Sequence, residues 1–191
     1  MGMGNSSLML QQEEIEEIQN ETGFSRNQIV RLYSRFINLD KRGMGYLDRD
    51  DFLRIPELAI NPLGDRIVDA FFTESDNDEH INFRQFMRVL SRFRPIDKKK
   101  PSELNSRESK LRFAFNMYDL NGNGKITREE FEVILNMMVG ANITQEQLQS
   151  IAERTIAEAD EDHDGCISFD EFCKAMEKTD IEQKMSIRFL H

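Results

Sequence analysis

Two stretches of the chain carry oxygen-bearing side chains at the same spacing around a glycine. The first holds Asp119, Asn121, Asn123, Gly124, Lys125, Thr127 and Glu130; the second holds Asp160, Asp162, Asp164, Gly165, Cys166, Ser168 and Glu171. Both fit D-x-[DN]-x-[DN]-G-x5-E, a loop that wraps a calcium ion. Ca²⁺ takes about six to eight hard oxygens at about 2.3–2.6 Å, and the spacing delivers them in turn. Positions 1, 3 and 5 supply side-chain oxygens from Asp119, Asn121 and Asn123, then from Asp160, Asp162 and Asp164. Position 6 must turn sharply, which Gly124 and Gly165 do without a Cβ penalty. Position 7 gives a backbone carbonyl, so Lys125 and Cys166 are allowed there, and position 9 (Thr127, Ser168) acts through a water. Glu130 and Glu171 close the shell at position 12 with both carboxylate oxygens. An acidic turn between helices explains one such loop but not two in matched register. The chain is therefore expected to hold Ca²⁺ at two sites.

The two loops differ in charge. The first has Asp119 and Glu130 as charged ligands; the second has Asp160, Asp162, Asp164 and Glu171. Ligand charge raises affinity, so the second is expected to bind more tightly, with both in or below the sensor range of about 10⁻⁷–10⁻⁵ M.

Such loops need helices on both sides. Phe113, Phe115 and Tyr118 precede the first loop, and Phe131, Ile134, Leu135 and Met138 follow it. Ile151, Ile156 and Ala159 precede the second, with Phe172, Ala175 and Met176 after it. These are helical spacings with one apolar face each. Ile126 and Ile167 fall at position 8, where paired loops make a short β-contact. Ser106 or Asn105 is expected to cap the helix over 107–118.

The front half repeats the frame without the ligands. A loop from Asp40 keeps position 1, Gly45 at position 6 and Leu47 at position 8, but Arg42 and Met44 stand where oxygens belong and Asp51 replaces Glu. A second relic surrounds Ile81, with Glu74 at position 1, Glu79 in place of Gly and Gln85 at position 12. No calcium is expected at either, though Asp76 and Asp78 could attract a cation weakly. The fold class is all-α: four helix–loop–helix units of the EF-hand type in two paired lobes, with short β-contacts between paired loops. The expected divisions are an N-terminal segment over 1–22 with an amphipathic helix, a front lobe over 23–93, a linker over 94–107, a rear lobe over 108–178 and a C-terminal segment over 179–191.

The 191 residues carry 25 Lys+Arg against 35 Asp+Glu, a formal charge of −10, which disfavours nucleic acid as a partner. No apolar stretch reaches the roughly 18–20 residues that span a bilayer, and the acids within 13–17 interrupt any secretory signal. Cys166 and Cys173 read as reduced thiols, and the scattered His80, His163 and His191 sit in no nucleophile motif, so no enzyme is expected. Gly2 fits M-G-x-x-x-[ST] for N-myristoylation, with Gly4 the acceptor if translation begins at Met3. One such chain binds membranes only marginally, so attachment needs a membrane-bound partner as second anchor. The apolar end (Met185, Ile187, Phe189, Leu190) either packs on the body or lies in a groove and leaves when a partner enters.

Four helix–loop–helix units with metal loops kept only in the rear pair resemble the calcineurin B homologous proteins, within the EF-hand superfamily. Asn61-Pro62-Leu63-Gly64-Asp65-Arg66-Ile67 is similar to a segment of that family, as are Phe93-Arg94-Pro95-Ile96, Leu104-Asn105-Ser106-Arg107 and Glu182-Gln183-Lys184-Met185-Ser186-Ile187-Arg188. The resemblance runs over nearly the whole chain. It implies an amphipathic juxtamembrane helix of a plasma-membrane Na⁺/H⁺ exchanger as partner, with support of exchange activity and surface delivery. It also implies inhibition of calcineurin through its catalytic subunit, a myristoylated Gly2, and a cytoplasmic protein peripheral at plasma and secretory membranes with nuclear shuttling.

The mechanism expected from the residues is a helix held in an apolar groove. Candidate groove residues are Phe24, Leu32, Phe36, Phe71, Phe72, Phe86, Leu90, Phe93, Met117, Met137, Met138 and Met176, each of which could equally be plain core. Two rival functions are a calcineurin B-like regulatory subunit of a phosphatase and a calcium buffer without a target.

Overall fold

A computed structural model describes residues 10–75, 79–100, 102–139 and 141–177. Gly2 and Gly4, Asp76 and Asp78, and the segment 179–191 lie outside the described residues.

Among the described residues the chain is mostly helical, with ten α-helices and two short antiparallel strand pairs. The front half runs α1 (Gln12–Thr22), α2 (Arg26–Leu39), β1 (Tyr46–Leu47), α3 (Arg49–Leu53), α4 (Pro56–Ala59), α5 (Gly64–Glu74), β2 (Ile81–Asn82) and α6 (Phe83–Ser91). The rear half runs α7 (Arg107–Tyr118), β3 (Lys125–Thr127), α8 (Arg128–Val139), α9 (Gln145–Ala159), β4 (Cys166–Ser168) and α10 (Phe169–Ala175). Each strand pair joins two loops through the apolar residue at position 8: Leu47 lies opposite Ile81, and Ile126 opposite Ile167. All four are nearly fully buried.

Local chemistry explains the breaks. Ser25 and Gln28 form a capping box that starts α2. Pro56 opens α4 and holds Ile55 in an extended conformation (φ −69°, ψ 118°), so the helix leaving the first front loop splits in two. Ser106, not Asn105, is the N-cap of α7, accepting a hydrogen bond from the Ser109 N–H at 3.0 Å. Asn105 is buried instead and donates from Nδ2 to the Pro95 carbonyl at 2.7 Å.

One continuous apolar core runs from front to rear, and phenylalanine builds it. Phe36 lies 5.5 Å from Phe86, and Phe52 lies 5.2 Å from Phe71. Phe71 and Phe93 both pack on Phe113 of α7, at 6.0 and 5.0 Å. Phe115 then meets Phe172 of α10 at 5.5 Å. Lys110 of α7 is 1% exposed and places its ammonium on the Arg94 carbonyl (2.5 Å) and on that of Arg92. A buried ammonium needs such acceptors, and they pin the segment after α6 to α7. The connection is thus held to α7, while Asp97, Lys98, Lys99 and Lys100 within it are exposed.

Candidate metal centre

Each rear loop starts where its incoming helix ends. Asp119 caps α7 and Asp160 caps α9 through their backbone N–H groups, to Phe115 (3.1 Å) and Ile156 (2.8 Å). Their carboxylates then reach forward over the turn. Asp119 Oδ2 accepts the Gly124 N–H and Asp160 Oδ2 the Gly165 N–H, both at 2.8 Å. Gly124 and Gly165 have φ of 87° and 82°, where a Cβ is strained. At position 4 the first loop spends another glycine, Gly122 (φ 68°), while the second holds His163 at φ 58°, the one non-glycine residue with positive φ among those described.

The far end of each loop is also a helix N-terminus. Thr127 and Ser168 accept the N–H of Glu130 (3.1 Å) and Glu171 (3.2 Å). The two glutamates return the bond: Glu130 Oε1 accepts the Thr127 N–H at 3.0 Å, and Glu171 Oε1 the Ser168 N–H at 2.9 Å. Positions 9 and 12 are therefore a capping box, which orients the closing carboxylate before any metal arrives. The second oxygen of each glutamate faces back across the loop, Glu130 Oε2 to Asn121 N–H (3.1 Å) and Glu171 Oε2 to Asp162 N–H (3.3 Å).

The donor sets fit a calcium ion. In the second loop one oxygen each from Asp160, Asp162, Asp164 and Glu171 lie within 4.8 Å of one another. Oxygens on opposite sides of one Ca²⁺ are about 4.6–5.2 Å apart, twice the Ca–O distance. In the first loop the buried Oδ1 of Asp119 has no hydrogen-bond partner, a cost that a cation at that atom removes. Asn121 and Asn123 project Oδ1 atoms inside the loop, where each accepts the N–H two residues on, at 3.1 and 3.0 Å. Hydrogen bonds favour the charged form of two carboxylates in the second loop. Backbone donation from Ser168, with that from Asp162 and Glu161, lowers the Glu171 pKa. The Lys125 ammonium, helped by the Cys166 N–H, brings Asp164 down to about 2.

The first front loop keeps the same wrap and replaces the metal with a side chain. Asp40 accepts the N–H groups of Met44 (2.9 Å) and Gly45 (2.7 Å), and Asp48 with Asp51 forms the capping box. The Arg42 guanidinium bonds Asp48 and lies 3.5 Å from Asp51, which Arg54 also holds at 2.7 Å. Arg42 is thus a built-in cation for the loop. In the second front loop Asn82 and Gln85 make the capping box, and Gln85 Nε2 donates to the Ser75 carbonyl at 3.1 Å.

The groove candidates divide sharply. Phe24, Leu32, Phe36, Phe71, Phe72, Phe86, Leu90 and Phe93 are buried in the core, and Met117 and Met176 pack against it. Met137 and Met138 of α8 are 41% and 39% exposed, beside Val133 at 43%. Admitting a helix between the phenylalanines requires the front helices to part.

Arg66 of α5 makes a long-range contact that local pattern does not reveal. Its Nε donates to the Met117 carbonyl (3.0 Å) and its Nη2 to the Asn116 carbonyl (3.1 Å), while Asp69 holds Nη1 at 3.0 Å. These carbonyls belong to the last turn of α7, which ends in Asp119, and a cation there satisfies orphan acceptors and the helix dipole. Arg66→Gln is expected to weaken calcium binding at the first rear loop by about fivefold, within the worth of one charge-assisted hydrogen bond. Calorimetric titration checks this, with the second loop as internal reference.

Comparison with known proteins agrees with this geometry. Residues 108–177, the two rear units, match the family model of an EF-hand domain pair. Over its length the chain is similar to the calcineurin B subunit of Naegleria gruberi, 44% identical over 186 residues that cover 97% of this chain and 99% of that protein. The type 2 calcineurin B subunit of Dictyostelium discoideum is 41% identical over 189 residues, 98% of each chain. Type 1 of the same organism is 39% identical over 188 residues, 98% of this chain and 99% of the other. The likeness therefore includes the front lobe as well as the metal loops, and it supports calcium binding.

Proposed function

The chain belongs to the calcineurin B-like family of EF-hand proteins, and on that footing we propose that it is the calcium-binding regulatory subunit of a calcineurin-type phosphatase, holding the catalytic subunit through an amphipathic helix. The observation that carries this reading is the end-to-end likeness to calcineurin B subunits, because a buffer needs only the metal loops. The rear lobe holds two ions, one bounded by Asp119 and Glu130 and the other by Asp160 and Glu171. A bound ion joins the first and last ligand of its loop and so fixes the angle between the flanking helices. The chain's own residues supply the rest. Asp119 and Glu130 tie α7 to α8, and Arg66 and Phe113 carry the position of α7 to α5 and the front core. The acyl chain expected at Gly2 adds a marginal membrane contact, which becomes lasting only beside a second, membrane-bound anchor.

A second reading is an exchanger helix as partner. One observation favours it: Arg42 stands where a calcium loop needs an oxygen, and metal loops kept only in the rear pair are the feature that resembles the calcineurin B homologous proteins.

Size-exclusion chromatography of the full chain with calcineurin catalytic subunit, and separately with the juxtamembrane helix of a Na⁺/H⁺ exchanger fused to a carrier, separates the readings. A one-to-one complex with the catalytic subunit in calcium supports the first; such a contact buries roughly 1,600 Å² or more. Complex with the exchanger helix alone supports the second. No complex with either, with and without calcium, overturns both.

A further inference from the structure

The carboxylate count ranks the second rear loop well above the first, yet one of its carboxylates already has a cation. Lys125 belongs to the first loop, at position 7, and lies on β3 opposite Ser168 of β4. The strand pair fixes its side chain beside the neighbouring loop, where the ammonium bonds Asp164 Oδ2. Asp164 is a ligand at position 5 of that loop, and its other oxygen accepts the Cys166 N–H at 2.9 Å. A side chain of the first loop thus reaches directly into the donor set of the second.

We infer that Lys125 is a resident competitor for calcium at the second rear loop: its ammonium occupies a ligand carboxylate of the neighbouring site and lowers that site's affinity, narrowing the gap between the two loops. The inference rests on the reading that this loop holds calcium. An ion in the cage meets a like charge within a few ångströms, and the ammonium must swing out or stay and repel. Both groups are partly solvated, at 49% and 28% exposure for the two side chains, so the penalty is moderate. It is also directional. The position-7 ligand of the first loop is the backbone carbonyl of the same Lys125, so filling the first site immobilises the residue whose side chain opposes the second.

A structural role for Lys125, holding the loops together, predicts the opposite sign, because its loss then weakens binding. The test uses the full chain with Glu130→Gln, which leaves the second loop to be read alone. Calcium titrations by calorimetry compare Lys125 with Lys125→Gln and Lys125→Arg in that background, at about 0.05 M and about 0.5 M KCl. The expected result is binding about three- to tenfold tighter for Lys125→Gln at low salt, a gap that shrinks at high salt, and Lys125→Arg close to the parent. Equal or weaker binding by Lys125→Gln, in a variant whose circular dichroism matches the parent, overturns the inference. Absence of calcium binding in the Glu130→Gln parent overturns the metal reading beneath it instead.

Discussion

Glu171→Gln weakens calcium binding at the second rear loop by roughly 100-fold, because it removes one full charge and one of two coordinating oxygens. The substitution is selective for the metal. A glutamine Oε1 can still accept the Ser168 N–H that Glu171 accepts at 2.9 Å, so the start of α10 keeps its cap. What it cannot do is accept on the other side, where Glu171 Oε2 takes the Glu161 N–H at 2.5 Å and the Asp162 N–H at 3.3 Å. The amide also offers a donor where the ion needs an acceptor. Glu130→Gln removes the corresponding group from the first loop, which has Asp119 as its other carboxylate ligand. The tighter of the two binding steps is lost in Glu171→Gln and kept in Glu130→Gln. Calorimetry on both variants decides; a greater loss from Glu130→Gln reverses the ranking.

The second large effect lies in the core between the lobes. Phe113 is 2% exposed and stands edge-on to Phe71 of α5 (6.0 Å, 86°) and to Phe93 beyond α6 (5.0 Å, 78°). Phe113→Ala empties the place where front core meets rear core, and its expected cost is about 3–5 kcal/mol, the transfer term plus the unfilled cavity. Urea unfolding with and without calcium measures it. Calcium recovers only part of the loss, since the rear loops bind without restoring the packing of α7 on α5. A cost below about 1 kcal/mol, within the range of a surface substitution, contradicts a continuous core.

The metal loops are legible in sequence because a coordination shell dictates residue type at each of its positions. Asp119 through Glu130 and Asp160 through Glu171 leave little freedom, and the position-8 pairs Ile126–Ile167 and Leu47–Ile81 follow from the same register. The helix Arg107–Tyr118 is legible for a different reason, a serine cap ahead of a run that holds Leu111, Phe113 and Phe115. Long-range polar contacts are not legible. Nothing in the local pattern around Arg66 says that it reaches Asn116 and Met117, fifty residues away. Nor does Lys110, a charged residue on an otherwise ordinary helix, advertise that it is buried against the carbonyls of Arg92 and Arg94. The same limit explains the groove residues. Helical periodicity places Phe36, Phe72 and Phe86 each on the buried face of its own helix, but it does not distinguish a closed core from a groove that opens to a helix. Branch within the family has this character too. Arg42 at a ligand position sets the first front loop apart, while the chain is similar over its length to calcineurin B subunits, and a single loop does not decide between branches.

Flow dialysis of the purified chain against calcium tests the central claim most directly. The account predicts two ions per chain, one in each rear loop, falling to one in Glu130→Gln and one in Glu171→Gln, with none added by the front loop that Arg42 fills. A chain that takes up no calcium, or whose uptake is unchanged by either substitution, contradicts it.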